Sequence, residues 1–106
     1  ESLIGGQVEL SDDGRLCTAA NPSILAGSAY TLDRGIANAV RHTDMTLADA
    51  IDAVTRRPAA VMRMPKLGTL AVGSAAHLTL FDYESSSGEI SVRETVVSGE
   101  TVFRRS

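Results

Sequence analysis

The histidine and cysteine side chains of this sequence, which can bind metal ions or act as nucleophiles, are Cys17, His42 and His77. A catalytic metal such as zinc needs about three protein ligands and one open position. Cys17, His42 and His77 fall in unrelated predicted elements. The sequence therefore does not predict a complete metal site made by this chain alone.

Local structure accounts for these histidines and for the charged pairs. His42 falls at the predicted end of a helix, where a cationic side chain suits the helix dipole, and His77 precedes a strand and is expected at the surface. Asp12-Asp13-Gly14 lacks the spaced oxygen ligands of a calcium loop and is explained as a hairpin turn. Arg56-Arg57 could suggest a phosphate site, but the pair is better explained as two solvated cations near a helix C-terminus.

Ala26, Gly27 and Ser28 form the candidate binding element of the chain. Gly27 lets the backbone approach a ligand closely, and Ser28 precedes a predicted helix whose first N–H groups have no partner within the helix. In a second interpretation, which stays open, Ser28 or Thr31 caps this helix. The two roles are compatible, because a capping hydroxyl can also lie at the rim of a site.

Apolar spacing and capping residues predict the helices. Apolar residues at i, i+4, i+7 and i+8 predict a first helix over about residues 29–42. Thr46 and Asp49 predict a capping box at the start of a second helix. Pro58 should end or kink that helix near Arg57 and stand at the first position of a last helical turn over residues 59–63.

Strands are predicted on both sides of the helices. Residues 8–10 and 16–17 flank a turn at residues 11–14 and predict a hairpin. Later segments predict a short strand around Leu70, a buried strand at 78–81, a loop at 85–88 and short strands at 90–92 and 95–97, with a tight turn at Ser98-Gly99 before the last strand. We expect an α+β chain in which both sets of strands join one small sheet assembly, since neither buries its apolar face alone.

Composition limits the class of protein. A chain of 106 residues amounts to one domain, and its net charge of −3 and lack of tryptophan argue against nucleic acid and anionic membranes as partners. No apolar stretch approaches the roughly 20 residues that span a bilayer. A single cysteine excludes an internal disulfide, so a reducing cytoplasm is the simplest expected location.

From about Gly6 to Val102 the sequence resembles the N-acetylglucosamine-6-phosphate deacetylases, which are amidohydrolase-type metal enzymes. The Leu-Ala-Gly-Ser element at residues 25–28 and the following run to residue 40 favour this family. Gly-x-Leu-x-x-Gly at residues 68–73 and the late hairpin are shared by many amidohydrolases, including dihydroorotases and adenine deaminases. The sequence departs from the superfamily at His77, where Asp or Asn is usual, and at Arg57, where Asn is common.

The resemblance implies an architecture for the chain. Such enzymes combine a (β/α)8 barrel of roughly 250 residues with a small β-sandwich domain. Residues 1–18 would be the first hairpin of the small β-domain, residues 19–64 a loop and the C-terminal barrel helices, and residues 65–106 the remaining strands of the small β-domain. The rest of the barrel would lie upstream, so the chain is interpreted as a C-terminal fragment.

The resemblance also implies an activity. The family hydrolyses the acetamide of N-acetylglucosamine 6-phosphate, using a divalent metal of zinc or iron type that lowers the pKa of bound water, and an aspartate that transfers protons. The chain has no His-x-His and no Thr-Asp-Ala, so its catalytic residues and metal ligands are expected upstream. Ala26, Gly27 and Ser28 would contact the sugar phosphate. Relatives of this kind are usually homo-oligomers.

Two other functions remain open from the sequence. The first is a different amidohydrolase, a deaminase or a cyclic amidohydrolase, because several motifs are shared across the superfamily. The second is a stand-alone, non-catalytic β-rich interaction domain. A stand-alone domain should cover its apolar helix faces, whereas a fragment should expose them and associate.

Overall fold

The computed structural model of the chain describes residues 6–106, so residues 1–5 of the predicted first hairpin segment lie outside the described part. The described residues contain six strands and three helices. They divide into two compact units, one ending at Thr31 and one beginning at Leu32. The strands form two separate three-stranded antiparallel sheets. The predicted mixture of helices and antiparallel strands is confirmed, and residues 6–106 contain no (β/α)8 barrel. The two sets of strands pair in separate sheets, and their joining into one sheet assembly stays a prediction.

The first unit contains strands β1 (Val8–Leu10), β2 (Leu16–Thr18) and β3 (Leu25–Gly27). β2 is the central strand and pairs antiparallel with both neighbours, so the predicted first hairpin is confirmed. The sequence does not predict β3, because three residues are too few to show an alternating pattern. Cys17, on the central strand, is 2% exposed.

Hydrogen bonds between residues close in sequence form the turn between β1 and β2. The Gly14 backbone has φ +84°, and its amide donates to the Ser11 carbonyl at 2.9 Å. Asp13 accepts a hydrogen bond from the Ser11 hydroxyl and pairs with Arg15 at 2.8 Å. The interpretation of Asp12-Asp13-Gly14 as a hairpin turn is therefore confirmed.

The second unit begins with helices α1 (Leu32–His42), α2 (Leu47–Val54) and α3 (Arg56–Val61). α1 starts at Leu32, later than the predicted start near residue 29. The predicted capping box is confirmed: the Thr46 hydroxyl accepts the Asp49 amide at 3.1 Å, and the Asp49 carboxylate accepts the Thr46 amide at 3.2 Å. No helix among residues 6–106 is long and apolar enough to cross a membrane.

The break between α2 and α3 lies at Thr55, which has φ −126° and ψ −83°. The Thr55 hydroxyl donates to the Ile51 carbonyl at 2.7 Å. Because α3 already begins at Arg56, Pro58 is its third residue, and the prediction that Pro58 occupies the first position is wrong. The missing N–H of Pro58 is still harmless there, since the first four N–H groups of a helix have no partner within it.

The second sheet contains β4 (Leu78–Glu84), β5 (Glu89–Val97) and β6 (Glu100–Arg104), with β5 in the centre. The two strands predicted at residues 90–92 and 95–97 are one strand, because a bulge opposite residues 80–81 keeps β5 paired with β4 throughout. The predicted loop at residues 85–88 and the predicted turn at Ser98-Gly99 are confirmed. The strand predicted around Leu70 does not form, and this segment is a loop.

One face of the second sheet is half-buried, and α1 contacts its central strand. Cross-strand register places four half-buried side chains on this face: Phe81, Tyr83, Ile90 and Val92. The turn between β4 and β5 also approaches α1. A Cβ added at Gly88 would lie 2.8 Å from Cγ of Arg41, so glycine permits this close packing.

Small residues form the buried core. In residues 6–106 the buried hydrophobic residues are one cysteine and three alanines, at most 9% exposed: Cys17, Ala37, Ala50 and Ala59. The predicted buried strand at residues 78–81 forms as β4, but Leu78 and Leu80 are 38% and 48% exposed. The prediction of its burial is therefore wrong for these two leucines, because on β4 only Phe81 and Tyr83, on the opposite face, are half-buried.

Candidate functional site

The candidate binding element lies at the end of the first sheet. Ala26 and Gly27 complete β3, Ser28 follows, and all three residues are exposed. Gly27 pairs with Leu16 of β2. A Cβ at Gly27 would meet the Leu16 side chain at 3.9 Å, an ordinary van der Waals contact. Packing within the sheet therefore does not require glycine at position 27, which is compatible with a role in ligand approach.

Ser28 forms a turn and not a helix cap. Its hydroxyl accepts the Tyr30 amide at 3.1 Å and donates to the Tyr30 carbonyl at 3.3 Å. Since α1 begins at Leu32, the expectation that Ser28 stands at the helix N-terminus is wrong. A serine hydroxyl has one donor and two acceptor positions, so one acceptor position of Ser28 remains for a ligand.

Tyr30 is a further polar side chain of this region, and it is not among the site residues predicted from the sequence. It is 51% exposed, and its hydroxyl lies 3.5 Å from the position that a Cβ of Gly14 would take. The turn between β1 and β2 and the segment after β3 therefore meet at Tyr30. Its place two residues after Ser28 is the sequence signal that could have marked it.

The three candidate metal ligands have different structural surroundings. Cys17 is buried in the first sheet, and His42 ends α1 together with Arg41, as predicted. His77 is exposed directly before β4, and its Nδ1 accepts the Ser98 amide at 3.0 Å. Residues 6–106 contain no group of three or more His, Cys, Asp or Glu that could hold a metal ion. The described residues therefore do not by themselves form a site for a divalent metal ion.

Arg56 and Arg57 directly follow the C-cap of α2, so the expectation that they lie near a helix C-terminus is confirmed. They are also the first two residues of α3. Both contact Asp52: Arg56 through two hydrogen bonds, one of 2.8 Å from Nε, and Arg57 at 3.6 Å. The hydrogen bond from Arg56, assisted by both positive charges, lowers the pKa of Asp52 below its ordinary 3.8. The shared carboxylate partly neutralises the pair, which is not arranged as an open phosphate site.

The last two arginines form ion pairs with carboxylates of the second sheet. Arg104 pairs with Glu94 at 2.8 Å, and Arg105 pairs with Asp82 at 2.9 Å. Hydrogen bonds from Arg104 and then Thr101 lower the pKa of the Glu94 carboxyl below its ordinary value. These cations therefore have a structural role across β4, β5 and β6.

Similarity to known proteins identifies the family. The sequence model described as "Amidohydrolase family" matches residues 6–103, which is nearly the whole described chain. The chain belongs to the amidohydrolase family.

Two similar proteins carry the same activity in their names. The chain is 29% identical over 100 residues to N-acetylglucosamine-6-phosphate deacetylase of Bos taurus, covering 93% of this chain and 23% of that protein. The crystal structure of N-acetylglucosamine-6-phosphate deacetylase from Pasteurella multocida matches with a TM-score of 0.76 and 25% identity, over 99% of this chain and 26% of that chain. The chain thus spans about a quarter of the length of either deacetylase.

Proposed function

We propose that this chain is the C-terminal part of an N-acetylglucosamine-6-phosphate deacetylase. The complete enzyme would hydrolyse the acetamide of N-acetylglucosamine 6-phosphate, in which water adds across the C–N bond and releases acetate and glucosamine 6-phosphate. The observation that carries the proposal is the match to two deacetylases, from a mammal and a bacterium, along at least 93% of the chain.

Within that enzyme, each part of the chain has a proposed place. Residues 1–18 and 65–106 would belong to the small β-domain, and residues 19–64 would contribute a loop and the last helices of the barrel. Ala26, Gly27 and Ser28 would contact the sugar phosphate. The exposure of this element and the remaining acceptor position of Ser28 support that assignment.

The divalent metal, of zinc or iron type, and the catalytic residues would come from polypeptide upstream of this chain. The absence of a metal-binding cluster within residues 6–106 is compatible with that arrangement. We therefore propose that the chain by itself does not turn over substrate, and that the complete enzyme is a cytoplasmic homo-oligomer.

Exposed apolar side chains support a larger parent protein. The end of α3 and the following loop carry five of them, between 48% and 109% exposed: Val61, Met62, Met64, Leu70 and Val72. Burying one such side chain stabilises a protein by about 1.5–3 kcal/mol. We propose that the upstream barrel covers this apolar segment. A stand-alone interaction domain would instead be expected to cover the segment with its own residues.

Activity of the complete protein tests the main proposal. The metal-loaded enzyme should release acetate from N-acetylglucosamine 6-phosphate, whereas this chain alone with added zinc should release none. A complete protein that hydrolyses dihydroorotate or deaminates adenine, and leaves the sugar phosphate intact, would replace the deacetylase with another amidohydrolase. Turnover by this chain alone would contradict the proposed location of the catalytic residues.

Ser28→Ala in the complete enzyme tests the binding element. KM for the sugar phosphate should rise while the unfolding midpoint changes little, and Ser28→Thr should recover part of the affinity. Ser23→Ala is the matched control, because the Ser23 hydroxyl also makes a local hydrogen bond, to Asn21 at 2.6 Å. An equal change of KM in both variants would show that the effect of Ser28 is structural.

The double variant Leu70→Asp/Val72→Asp tests the covered segment. The stability of this chain alone should be unchanged, since Leu70 and Val72 are 88% and 109% exposed. The complete protein should lose several kcal/mol, on the order of the burial energy of two large apolar side chains. If the double variant and the wild type of the complete protein were equally stable, no barrel would cover this segment.

A further inference from the structure

The turn between β5 and β6 has an unusual backbone. Ser98 and Gly99 both have positive φ, 51° and 80°, as a two-residue hairpin turn of type I′ requires. Glycine takes this conformation readily, whereas serine is disfavoured in it. Interactions from outside the hairpin can therefore contribute to holding Ser98 in place.

The segment before β4 supplies those interactions. The Gly99 amide donates to the Ala76 carbonyl at 3.0 Å, and the Ser98 amide donates to Nδ1 of His77 at 3.0 Å. Two successive amides of the turn are thus bound by two successive residues of the preceding segment. One of the two acceptors is a titratable side chain.

The hydrogen bond to Ser98 requires a neutral imidazole. Nδ1 accepts a hydrogen bond when the ring proton is on Nε2, and it becomes a donor when the ring is protonated. In the protonated ring, an N–H at Nδ1 would face the N–H of Ser98. Protonation of the imidazole would therefore break this hydrogen bond.

No ion pair in the described part of the chain includes His77. The neighbouring strands carry these charged residues: Asp82 and Glu84 on β4, Glu89, Arg93 and Glu94 on β5, and Glu100 and Arg104 on β6. Lys66 lies on the preceding segment, where its carbonyl accepts the Ala75 amide. Glu94 is bound by Arg104, and Asp82 by Arg105. Glu100 is the carboxylate nearest to the turn along the hairpin.

We propose that His77 is a pH-dependent anchor of the turn between β5 and β6. The neutral ring holds the Ser98 amide, and protonation releases it and loosens the start of β6. This device is independent of the proposed deacetylase activity, since it uses hydrogen bonds within the second unit alone.

Amide hydrogen exchange in the full chain tests the proposal. After correction for the intrinsic exchange rate, the protection of the Ser98 amide should fall about tenfold between pH 8 and pH 5, the effect of one lost hydrogen bond. The Arg105 amide, which donates to the Arg93 carbonyl at 2.8 Å at the other end of β6, is the internal reference and should keep its protection.

Two variants separate His77 from general effects of pH. In His77→Asn an amide oxygen that does not titrate can accept the Ser98 amide, so protection should no longer depend on pH. His42→Asn, at the second histidine of the chain, should retain the pH dependence. The proposal is overturned if wild-type Ser98 protection is constant with pH, or if His77→Asn keeps the wild-type dependence.

Nitrogen chemical shifts of the imidazole provide a test that needs no variant. At pH 8 the His77 ring should carry its proton on Nε2, with the shift of an unprotonated nitrogen at Nδ1. A ring with its proton on Nδ1 at pH 8 could not accept the Ser98 amide and would refute the proposal even if the variants did not fold.

Discussion

Gly68→Ala should strongly destabilise the second unit, because two independent penalties act at this position. Gly68 has φ +77°, and a residue with a Cβ in left-handed conformation costs about 1–2 kcal/mol. Its Cβ would also lie 2.7 Å from the Thr55 carbonyl carbon and 2.8 Å from Cα of Arg56. These are backbone atoms at the junction of α2 and α3, which cannot rotate away as a side chain can.

The magnitude follows from adding the two effects. Inserting a methyl group into a filled space costs typically about 1–3 kcal/mol, so Gly68→Ala should cost about 2–5 kcal/mol in total. Gly73→Ala is the matched control in the same loop. Gly73 has φ +93° with nothing within 4 Å of its Cβ position, so its variant should show the backbone cost of about 1–2 kcal/mol alone.

Urea unfolding followed by circular dichroism measures both variants. The midpoint should fall further for Gly68→Ala than for Gly73→Ala, with an unchanged slope of free energy against denaturant. Equal destabilisation of the two variants would refute the close approach of residue 68 to the helix junction. It would leave the positive φ as the common cause.

Three further substitutions test local features of the chain. Gly35→Ala in α1, where the new Cβ meets nothing within 4 Å, should stabilise the chain by about 0.5–1 kcal/mol in thermal unfolding, and a loss of stability would mean that this helix face is occupied. Thr46→Ala removes the capping box and should cost about 1 kcal/mol, with Thr46→Ser nearly neutral; equal losses in both would contradict the capping role. Glu94→Gln should make the free energy of unfolding less dependent on pH in the acid range. The pKa of Glu94 in the folded chain is lowered from 4.5. Its contribution to stability is therefore full above pH 4.5 and is lost as the pH falls through the lower folded pKa. An acid unfolding curve identical to that of the wild type would show that the bonds to Arg104 and Thr101 are absent in solution.

Features built from neighbouring residues could be predicted from the sequence. The capping box at Thr46, the turn around Gly14 and the turn at Ser98-Gly99 each depend on a few adjacent side chains and on backbone conformations that those residues favour. The two helices with apolar periodicity were predictable for the same reason. The short strand β3 and the break at Thr55 were not, because neither leaves a periodic signal.

The sequence could nominate the residues of a candidate site but not their hydrogen bonds. Ala26, Gly27 and Ser28 could be selected from residue type and resemblance, whereas the bonds of Ser28 to Tyr30 depend on the late start of α1. The contacts of Arg56 and Arg57 with Asp52 depended on where α3 begins. Element boundaries decided these interactions, and sequence patterns locate boundaries least well.

The sequence by itself determined the helices, the hairpins and the local turns, since each is encoded in short runs of residues. The resemblance to deacetylases likewise depends on short motifs. The tertiary structure alone decided which surfaces are covered and which distant groups meet. Leu78 and Leu80 belong to an apolar strand by sequence, yet they remain exposed because burial depends on what packs against them. His77 and Ser98 are separated by 21 residues and meet because β4, β5 and β6 pair in one register.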